Sequence, residues 1–259
     1  MKKKLLKLMS QVVLILLGGL MGSAVVFCGN AKKYQLPTRG EMQHTQNISP
    51  RYDVADKRAI KASRNSAVRV LSWDEKRGQM SVSTGTYFKY KEERYVVTVY
   101  HGILTPSCDN IQIEASGLLN RCSEIVHYDP QTDYAFLSVE EIPGRSPIRF
   151  PADFVRTRRG WLKAVSVLHP LLYTGYPNSS GPVTLSGKVM SFTDEEYIHF
   201  NSYAWSGSSG SGVFNFDGKY VGYIVAIDVG QTEYGVDVLE NVILVVPHFH
   251  IDWTPILKR

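Results

Sequence analysis

The sequence of 259 residues lacks any long helical pattern after residue 65, and it contains no internal repeat and no low-complexity tract. These absences argue against a helical bundle, a repeat array or a second folded module. An excess of positive charge is also missing from the body of the chain. Residues 1–64 hold 12 Lys and Arg against 3 Asp and Glu, a balance of +9, which leaves 17 basic and 21 acidic residues, a balance of −4, for residues 65–259. Because a nucleic-acid-binding domain is expected to be basic, the sequence predicts no nucleic-acid partner.

An apolar run at the N-terminus indicates a membrane segment. Residues 8–28 carry no charge, and a helix of these 21 residues is long enough to span a bilayer. A secretory signal is the alternative, because Gly22-Ser23-Ala24 offers small residues for cleavage, although the apolar region of a signal usually has only about 7–15 residues. The lysines that precede the run favour a cytoplasmic N-terminus. We therefore expect residues 1–28 to be an anchor, with the remaining chain on the periplasmic or extracellular side, or else a signal segment of a secreted protein.

The next segment, residues 29–64, shows no sustained periodicity and is dominated by polar and basic residues. We interpret it as a linker that is ordered only where it meets the following domain. From residue 65 onward the pattern changes to short runs rich in Val, Ile, Tyr and Thr, separated by turn residues, which is typical of antiparallel strands. Residues 65–259 are therefore expected to form the functional domain.

Two sets of about six strand-like runs flank a basic, proline-containing interval at residues 143–159. This arrangement predicts an all-β fold of two antiparallel six-stranded β-barrels, preceded by the N-terminal apolar helix. The second set begins with a predicted strand at Leu162–Leu168, and only Asp252–Lys258 has the pattern of a short helix. The predicted limits are about 65–142 for the first barrel, about 160–247 for the second barrel and 248–259 for a C-terminal tail.

Three positions far apart in the sequence supply groups for acyl-transfer chemistry. The stretch Trp205–Phe214 has glycines that permit a tight turn around Ser209, in which neighbouring backbone N–H groups can donate hydrogen bonds to a negatively charged group. His101 ends an apolar strand, and Asp133 opens another. A single histidine at a strand edge or a single turn aspartate carries little weight, and Asp129 fills the role of a turn aspartate more obviously. Together, however, the three residues supply a base, an orienting carboxylate and a nucleophile in the order His, Asp, Ser.

Four segments of the chain resemble the trypsin-like (chymotrypsin-fold) serine proteases, and they are closer to the HtrA-type and viral members than to the digestive enzymes. The resemblance covers about residues 65–250. The matching segments are Val97–His101, Asp133–Leu137, Gly175-Tyr176-Pro177 with Val183–Val189, and Gly207–Gly210.

This resemblance implies a serine endopeptidase that acts on polypeptides without a metal or an organic cofactor. It implies that His101 is the general base, that Asp133 orients the imidazole and that Ser209 attacks the scissile carbonyl to give an acyl-enzyme. It also implies that the N–H groups of Gly207 and Ser209 hold the oxyanion. The alternative is a catalytically inactive homologue that binds peptides or serves as a structural membrane protein, because a misaligned side chain leaves no trace in a sequence.

Departures from the family pattern bear on activation. Digestive members carry an aspartate just before the nucleophile, and a newly cut N-terminus pairs with it on activation. This chain has Ser208 at that position and contains no Ile-Val-Gly-Gly start. We therefore expect that activity needs no N-terminal cleavage. We expect no substrate-docking (PDZ) module within the residues after the second predicted barrel.

The residues that select the substrate are expected near the proposed nucleophile. Tyr203 lies six residues before Ser209, where trypsin-like enzymes keep the floor of their primary pocket, and Val225 and Ala226 are expected along its wall. This composition favours a small or apolar residue before the cleaved bond. Asp228 would instead favour a basic residue if the wall strand were offset by two positions. The alternative for Tyr203 is that its ring packs inside the barrel.

The remaining cysteine and histidine signals leave alternatives open. Cys108 and Cys122 lie 14 residues apart around one predicted strand, so a disulfide and a pair of free thiols are both consistent with the sequence. His248 and His250 have a spacing that can ligate a metal, but the sequence offers no third ligand. We therefore expect both histidines at the surface and predict no metal site.

Overall fold

A computed structural model of the chain describes residues 54–155, 157–232 and 235–259. The predicted apolar helix at 1–28 and most of the predicted linker lie outside the described residues. Within the described ranges, no helix combines the length and the hydropathy that a membrane crossing requires.

Six antiparallel strands close the first barrel, and a short seventh strand joins it in parallel. The barrel closes because the first strand pairs on one side with the second and on the other side with the fourth. Its interior is filled by alternate side chains of the strands, including Val68, Val70 and Val96. The strands are β1 (Ala67–Asp74), β2 (Gln79–Tyr90), β3 (Glu93–Thr98), β4 (Ile111–Ala115), β5 (Leu118–Asp129), β6 (Tyr134–Val139) and β7 (Ile148–Arg149).

A second closed barrel follows, with six antiparallel strands in the order β10-β13-β12-β11-β8-β9. Its interior holds Leu171, Val189, Phe200 and Ile243, which are fully buried. The predicted pair of six-stranded antiparallel barrels is therefore confirmed. The strands are β8 (Pro170–Gly175), β9 (Val183–Phe192), β10 (Ile198–Asn201), β11 (Gly212–Asn215), β12 (Tyr220–Thr232) and β13 (Gly235–Pro247).

The structure contains two helices that the strand pattern did not predict, α1 (Val54–Ser66) and α2 (Arg158–Ala164). The strand predicted at Leu162–Leu168 is wrong, because the first residues of this run belong to α2. The Thr157 hydroxyl caps α2 by accepting a hydrogen bond from the Gly160 N–H at 2.9 Å, and the buried Trp161 ring donates to the Val221 carbonyl at 3.0 Å. The predicted C-terminal helix is present as α3 (Thr254–Leu257).

Helix α1 lies at the end of the segment predicted as a linker and packs against the barrels. Ala59 and Ile60 on its inner face are buried in the large apolar core that also contains residues from both barrels. The Ser63 hydroxyl donates to the Thr174 hydroxyl of β8 at 2.8 Å, and the Asn65 carbonyl accepts from the N–H of Ser146 at 3.0 Å. The described part of the predicted linker is thus a helix that packs against the barrels.

The C-terminal tail corrects one expectation about the histidines. His248 was expected at the surface, but it is 7% exposed and its Nε2–H donates to the Val155 carbonyl at 2.9 Å. Burial lowers the pKa of His248 to about 4, so the ring is neutral near pH 7. Among the described residues, no group of three or more His, Cys, Asp or Glu side chains is arranged to hold a metal ion.

The two cysteines of the first barrel are joined. A disulfide links Cys108, in the helical turn before β4, to Cys122 in β5, and their Cα atoms lie 5.1 Å apart. The bond ties the turn that follows His101 to the neighbouring strand of the barrel.

Candidate active site

His101 and Asp133 are paired at the ends of adjacent strands. β3 ends at Thr98, and His101 follows in a short helical turn, while Asp133 immediately precedes β6. The Nδ1 of His101 lies 2.6 Å from Asp133 Oδ2, and the His101 backbone N–H donates to Asp133 Oδ1 at 2.8 Å. These two bonds hold the ring with a proton on Nδ1, because the carboxylate can only accept, and they leave Nε2 as the basic nitrogen.

The loop before Asp133 is held from both barrels. Asp129 accepts hydrogen bonds from the Gln131 N–H and the Thr132 hydroxyl, both at 2.8 Å. Burial acts to raise the pKa of Asp129, but these bonds outweigh it and the net shift is downward. From the second barrel, the Tyr223 hydroxyl donates to the Thr132 carbonyl at 2.7 Å. Asp129 therefore stabilises the turn, and Tyr223 fixes this turn to the second barrel one residue before Asp133.

Ser209 lies in a tight turn whose free backbone donors are its most informative feature. Gly207 has a φ of 93°, in the left-handed region that favours glycine. Neighbouring N–H groups of the turn are bonded, for example that of Ser208 to the Trp205 carbonyl at 2.8 Å. In contrast, the N–H groups of Gly207 and Ser209 have no acceptor among the residues that the structure describes. Two free N–H groups on one tight turn can donate hydrogen bonds to a negatively charged oxygen.

The directions of these two free N–H groups are fixed by the carbonyls on the other side of their peptide planes. The Ser206 carbonyl accepts from the Asn178 N–H at 2.6 Å. The Ser208 carbonyl accepts from the Ser211 hydroxyl, also at 2.6 Å. Because a peptide unit is planar and trans, holding its oxygen sets the orientation of its N–H. The turn is therefore organised before any ligand binds.

Two buried threonines of the first barrel connect His101 to the serine turn. Thr84 of β2 donates from its N–H to the Ser209 carbonyl at 2.8 Å and from its hydroxyl to the Gly207 carbonyl at 2.7 Å. The Thr98 hydroxyl, three residues before His101, donates to the Thr84 carbonyl at 2.7 Å. Our sequence analysis did not identify these threonines. The only signal was a run of hydroxyl residues on a strand, and threonine is common in strands for other reasons.

Gly210 has no room for a side chain, which leads to a testable prediction. Its φ is 86°, and a Cβ atom there would lie 2.0 Å from the Thr84 carbonyl oxygen and 2.8 Å from the Thr98 hydroxyl. We expect Gly210→Ala to lower the free energy of unfolding by about 2–4 kcal/mol and to impair the site, since the backbone of the serine turn or of β2 must move. Chemical denaturation measures the loss of stability.

The matched control is Gly117→Ala, because Gly117 has a φ of 83° and a Cβ atom added there would meet no atom within 4 Å. This variant carries the backbone strain alone, which costs about 1–2 kcal/mol. Equal losses for the two variants would contradict a steric role for Gly210.

Of the residues predicted to select the substrate, the structure places Val225 next to Ser209 and leaves Tyr203 exposed at the surface. The Val225 carbonyl accepts a long hydrogen bond of 3.4 Å from the Ser209 hydroxyl, and Ala226 is exposed beside it. Tyr203 is 55% exposed and its ring stacks on Trp205 with centroids 6.1 Å apart, so it does not pack inside the barrel. The distance between Asp228 Oδ2 and His199 Nε2 is 3.7 Å. Our sequence analysis did not predict a role for Trp205. The visible signal was that two aromatic residues, Tyr203 and Trp205, stand at alternate positions shortly before Ser209.

Two closed antiparallel barrels of six strands, with a His–Asp pair on one and a glycine-rich serine turn on the other, define the chymotrypsin-like fold class. The trypsin-like peptidase domain matches residues 83–222, which is more than half of the chain. The protein therefore belongs to the trypsin-like peptidase family. No curated protein matches the sequence significantly.

Solved structures of similar fold include HtrA-type and related serine proteases. The serine endoprotease from Yersinia pestis has a TM-score of 0.59 at 17% identity, over 80% of this chain and 66% of that protein. The Rv3671c protease from M. tuberculosis, in its active form, has a TM-score of 0.55 at 16% identity, over 73% of this chain and 78% of that one. The HtrA-type protease AlgW, solved with a tripeptide, has a TM-score of 0.56 at 17% identity, over 74% and 60% respectively. The chain thus spans less than two thirds of the Yersinia and AlgW proteins, and identities this low establish the shared fold alone.

Proposed function

We propose that this protein is a serine endopeptidase that hydrolyses peptide bonds through Ser209, His101 and Asp133. The observation that carries the proposal is the His101–Asp133 pair, with Nδ1 and Oδ2 2.6 Å apart, connected through buried threonines to a serine turn with two free N–H groups. This combination provides a base with a fixed tautomer and donors for an oxyanion, which are the two requirements of acyl transfer by a serine.

In the proposed reaction, the Ser209 oxygen attacks the scissile carbonyl carbon while its proton passes to His101 Nε2. Asp133 stabilises the imidazolium that forms, and the N–H groups of Gly207 and Ser209 bind the oxyanion. The tetrahedral intermediate expels the amine, which takes the proton from His101, and an ester to Ser209 remains. Water then attacks this ester with His101 again as the base, the bond between the acyl carbon and the Ser209 oxygen breaks as His101 returns a proton to that oxygen, and the acid product leaves. The 3.4 Å bond from the Ser209 hydroxyl to the Val225 carbonyl is weak, so the hydroxyl is free to turn.

The edge of β12 supports a polypeptide as the substrate. β11 pairs with β12 only as far as Tyr223, while β13 continues along the opposite edge beyond Ile227. Among the described residues, the edge that begins at Val225, next to Ser209, is therefore without a partner strand. An extended peptide can add to such an edge through main-chain hydrogen bonds, which would place its scissile bond at the serine.

We further propose that the residue before the cleaved bond is small or apolar. Val225 and Ala226 offer no charge beside Ser209, and the exposed ring of Tyr203 with the half-buried ring of Trp205 adds apolar surface. The Asp228 carboxylate, which could have selected a basic residue, faces His199. Cleavage of a peptide library measures this preference directly, and a dominant preference for Lys or Arg would contradict it.

Labelling with a fluorophosphonate probe tests the proposed activity, because the probe reacts only with a serine that an adjacent base activates. We expect one modified residue, located at Ser209 by mass spectrometry. Labelling should be lost in Ser209→Ala and in His101→Ala. A well-folded protein that neither reacts with the probe nor cleaves peptides would instead support an inactive, peptide-binding homologue.

We also propose that residues 1–28 anchor the protein in a membrane, with the peptidase domain on the translocated side. The 21 uncharged residues from 8 to 28 support this location. The Cys108–Cys122 disulfide supports it too, since disulfides persist in oxidising compartments. Full-length protein that stays with washed membranes would agree with an anchor, whereas a shortened soluble form would indicate signal cleavage and secretion.

A further inference from the structure

The segment between β8 and β9, here called the 176–180 turn, supports the backbone of the serine turn. A Cβ atom added to Gly207 would lie 2.6 Å from the Tyr176 carbonyl oxygen and 3.5 Å from the Asn178 nitrogen, so the two turns are in direct contact. The Asn178 N–H donates to the Ser206 carbonyl at 2.6 Å, and this bond sets the direction of the free Gly207 N–H. A displacement of the 176–180 turn would therefore move one of the two proposed oxyanion donors.

Arg69, a buried residue of β1 in the first barrel, holds the 176–180 turn at both of its ends. Its Cζ lies 5.0 Å from the centroid of the Tyr176 ring, and its Nη2 donates to the Ser180 carbonyl. A planar guanidinium can stack on a ring and donate hydrogen bonds in its own plane at the same time. The Tyr176 hydroxyl, at the far end of the ring, accepts from Arg145 Nη2 at 2.8 Å. The turn is thus fixed to cations that belong to the rest of the fold.

The charge of Arg69 is balanced inside the first barrel. Arg69 and Glu114 stand opposite each other on β1 and β4, and Arg69 Nη1 lies 2.9 Å from Glu114 Oε2. The two residues are only 9% and 7% exposed, and the other carboxylate oxygen of Glu114 accepts from the Gly117 N–H at 2.7 Å. Two well-packed apolar side chains are often at least as stable as a buried ion pair, because burying both ions costs their hydration. Stability alone therefore does not explain why a cation occupies this position.

We infer that Arg69 is a positioning residue, which holds the 176–180 turn from the first barrel and thereby keeps the Gly207 N–H directed at the oxyanion. This inference rests on the proposed peptidase function. It provides a physical reason why no newly cut N-terminus is needed: the cation that orders the site already belongs to a strand of the folded domain.

The double variant Arg69→Met with Glu114→Gln tests the inference. It removes both charges together, so no unpaired ion stays buried, and the glutamine oxygen can still accept from the Gly117 N–H. We expect kcat per titrated active site to fall about 10- to 100-fold with KM nearly unchanged, because a donor to the oxyanion acts in the transition state. A merely structural role would lower the melting temperature and the fraction of titratable sites but leave kcat per titrated site unchanged, which would overturn the inference.

The matched control is Arg94→Met with Glu141→Gln, which makes the same two substitutions in another ion pair of the first barrel. Arg94 Nη2 lies 2.9 Å from Glu141 Oε2, and this pair is at the surface. Its removal should leave kcat per titrated site at the value of the unmodified protein. If the Arg69 double variant retains the kcat of this control, Arg69 has no positioning role.

Hydrogen–deuterium exchange of the 176–180 turn provides a second readout that does not depend on activity. The N–H groups of Asn178 and Ser180 are both hydrogen-bonded, the second to the Pro177 carbonyl at 2.8 Å. We expect them to exchange faster in the Arg69 double variant than in the unmodified protein, and at the same rate in the control. Unchanged exchange in the Arg69 double variant would overturn the inference even in an active enzyme. Faster exchange in a protein that cleaves no peptide would support the hold of Arg69 on the turn and contradict the peptidase function, so the two failures are distinguishable.

Discussion

Replacing Ser209 by alanine is expected to lower kcat for a peptide substrate by about 10⁶, the largest effect of any single substitution in this protein. The hydroxyl is the only group proposed to bond covalently to the substrate, so no neighbouring side chain can substitute for it. The N–H groups of Gly207 and Ser209 remain in this variant and account for any residual rate. Progress curves at high enzyme concentration, with the protein purified free of host peptidases, measure the difference.

The control for this prediction is Ser123→Ala, which removes an exposed hydroxyl from β5, away from the serine turn. Its kcat should match that of the unmodified protein. Retention of even a hundredth of the activity in Ser209→Ala would show that another residue is the nucleophile.

The second largest effect is expected for Asp133→Asn, with kcat lower by about 10⁴. The side chains have the same size, so the fold should be kept, but the amide can donate a hydrogen bond where the carboxylate only accepted. Donation to His101 Nδ1 would move the ring proton to Nε2, the nitrogen that must take the proton of Ser209. Steady-state kinetics measure the loss, and NMR of the imidazole protons reports the change of tautomer.

Asp129→Asn is the matched control, because Asp129 lies four residues earlier and, among the described residues, its carboxylate accepts hydrogen bonds only from its own turn. We expect about 1 kcal/mol less stability and nearly full activity from this variant. An equal loss of activity in both variants would mean that disruption of the loop, rather than the tautomer of His101, explains the effect of Asp133→Asn.

The barrels and the candidate triad could be predicted because their signals are local in the sequence. A strand that packs one face against a core shows alternating apolar residues, and glycines with positive φ mark the turn around Ser209. His101 and Asp133 stand at the ends of such strands, where the backbone direction changes. These patterns can be recognised without knowing which residues, distant in the sequence, are in contact in the fold.

The features that the sequence analysis missed depend on contacts between distant residues. The first residues of Leu162–Leu168 are apolar enough for a strand, and only the Trp161 contact with Val221 makes α2 the better arrangement. The burial of His248 requires the Val155 carbonyl, 93 residues away. In the same way, Thr84 is an ordinary strand residue until the serine turn of the other barrel comes into contact with it. No local pattern contains this information.

Helix α1 has a practical consequence for where the folding unit starts. A truncated protein beginning at residue 65, where the strand pattern starts, would lose Ala59 and Ile60 and leave bare the apolar surface beneath them. It would also remove the hydroxyl that meets Thr174. The autonomous domain therefore includes α1, and a membrane anchor that precedes this helix would transmit force to an element packed against the core.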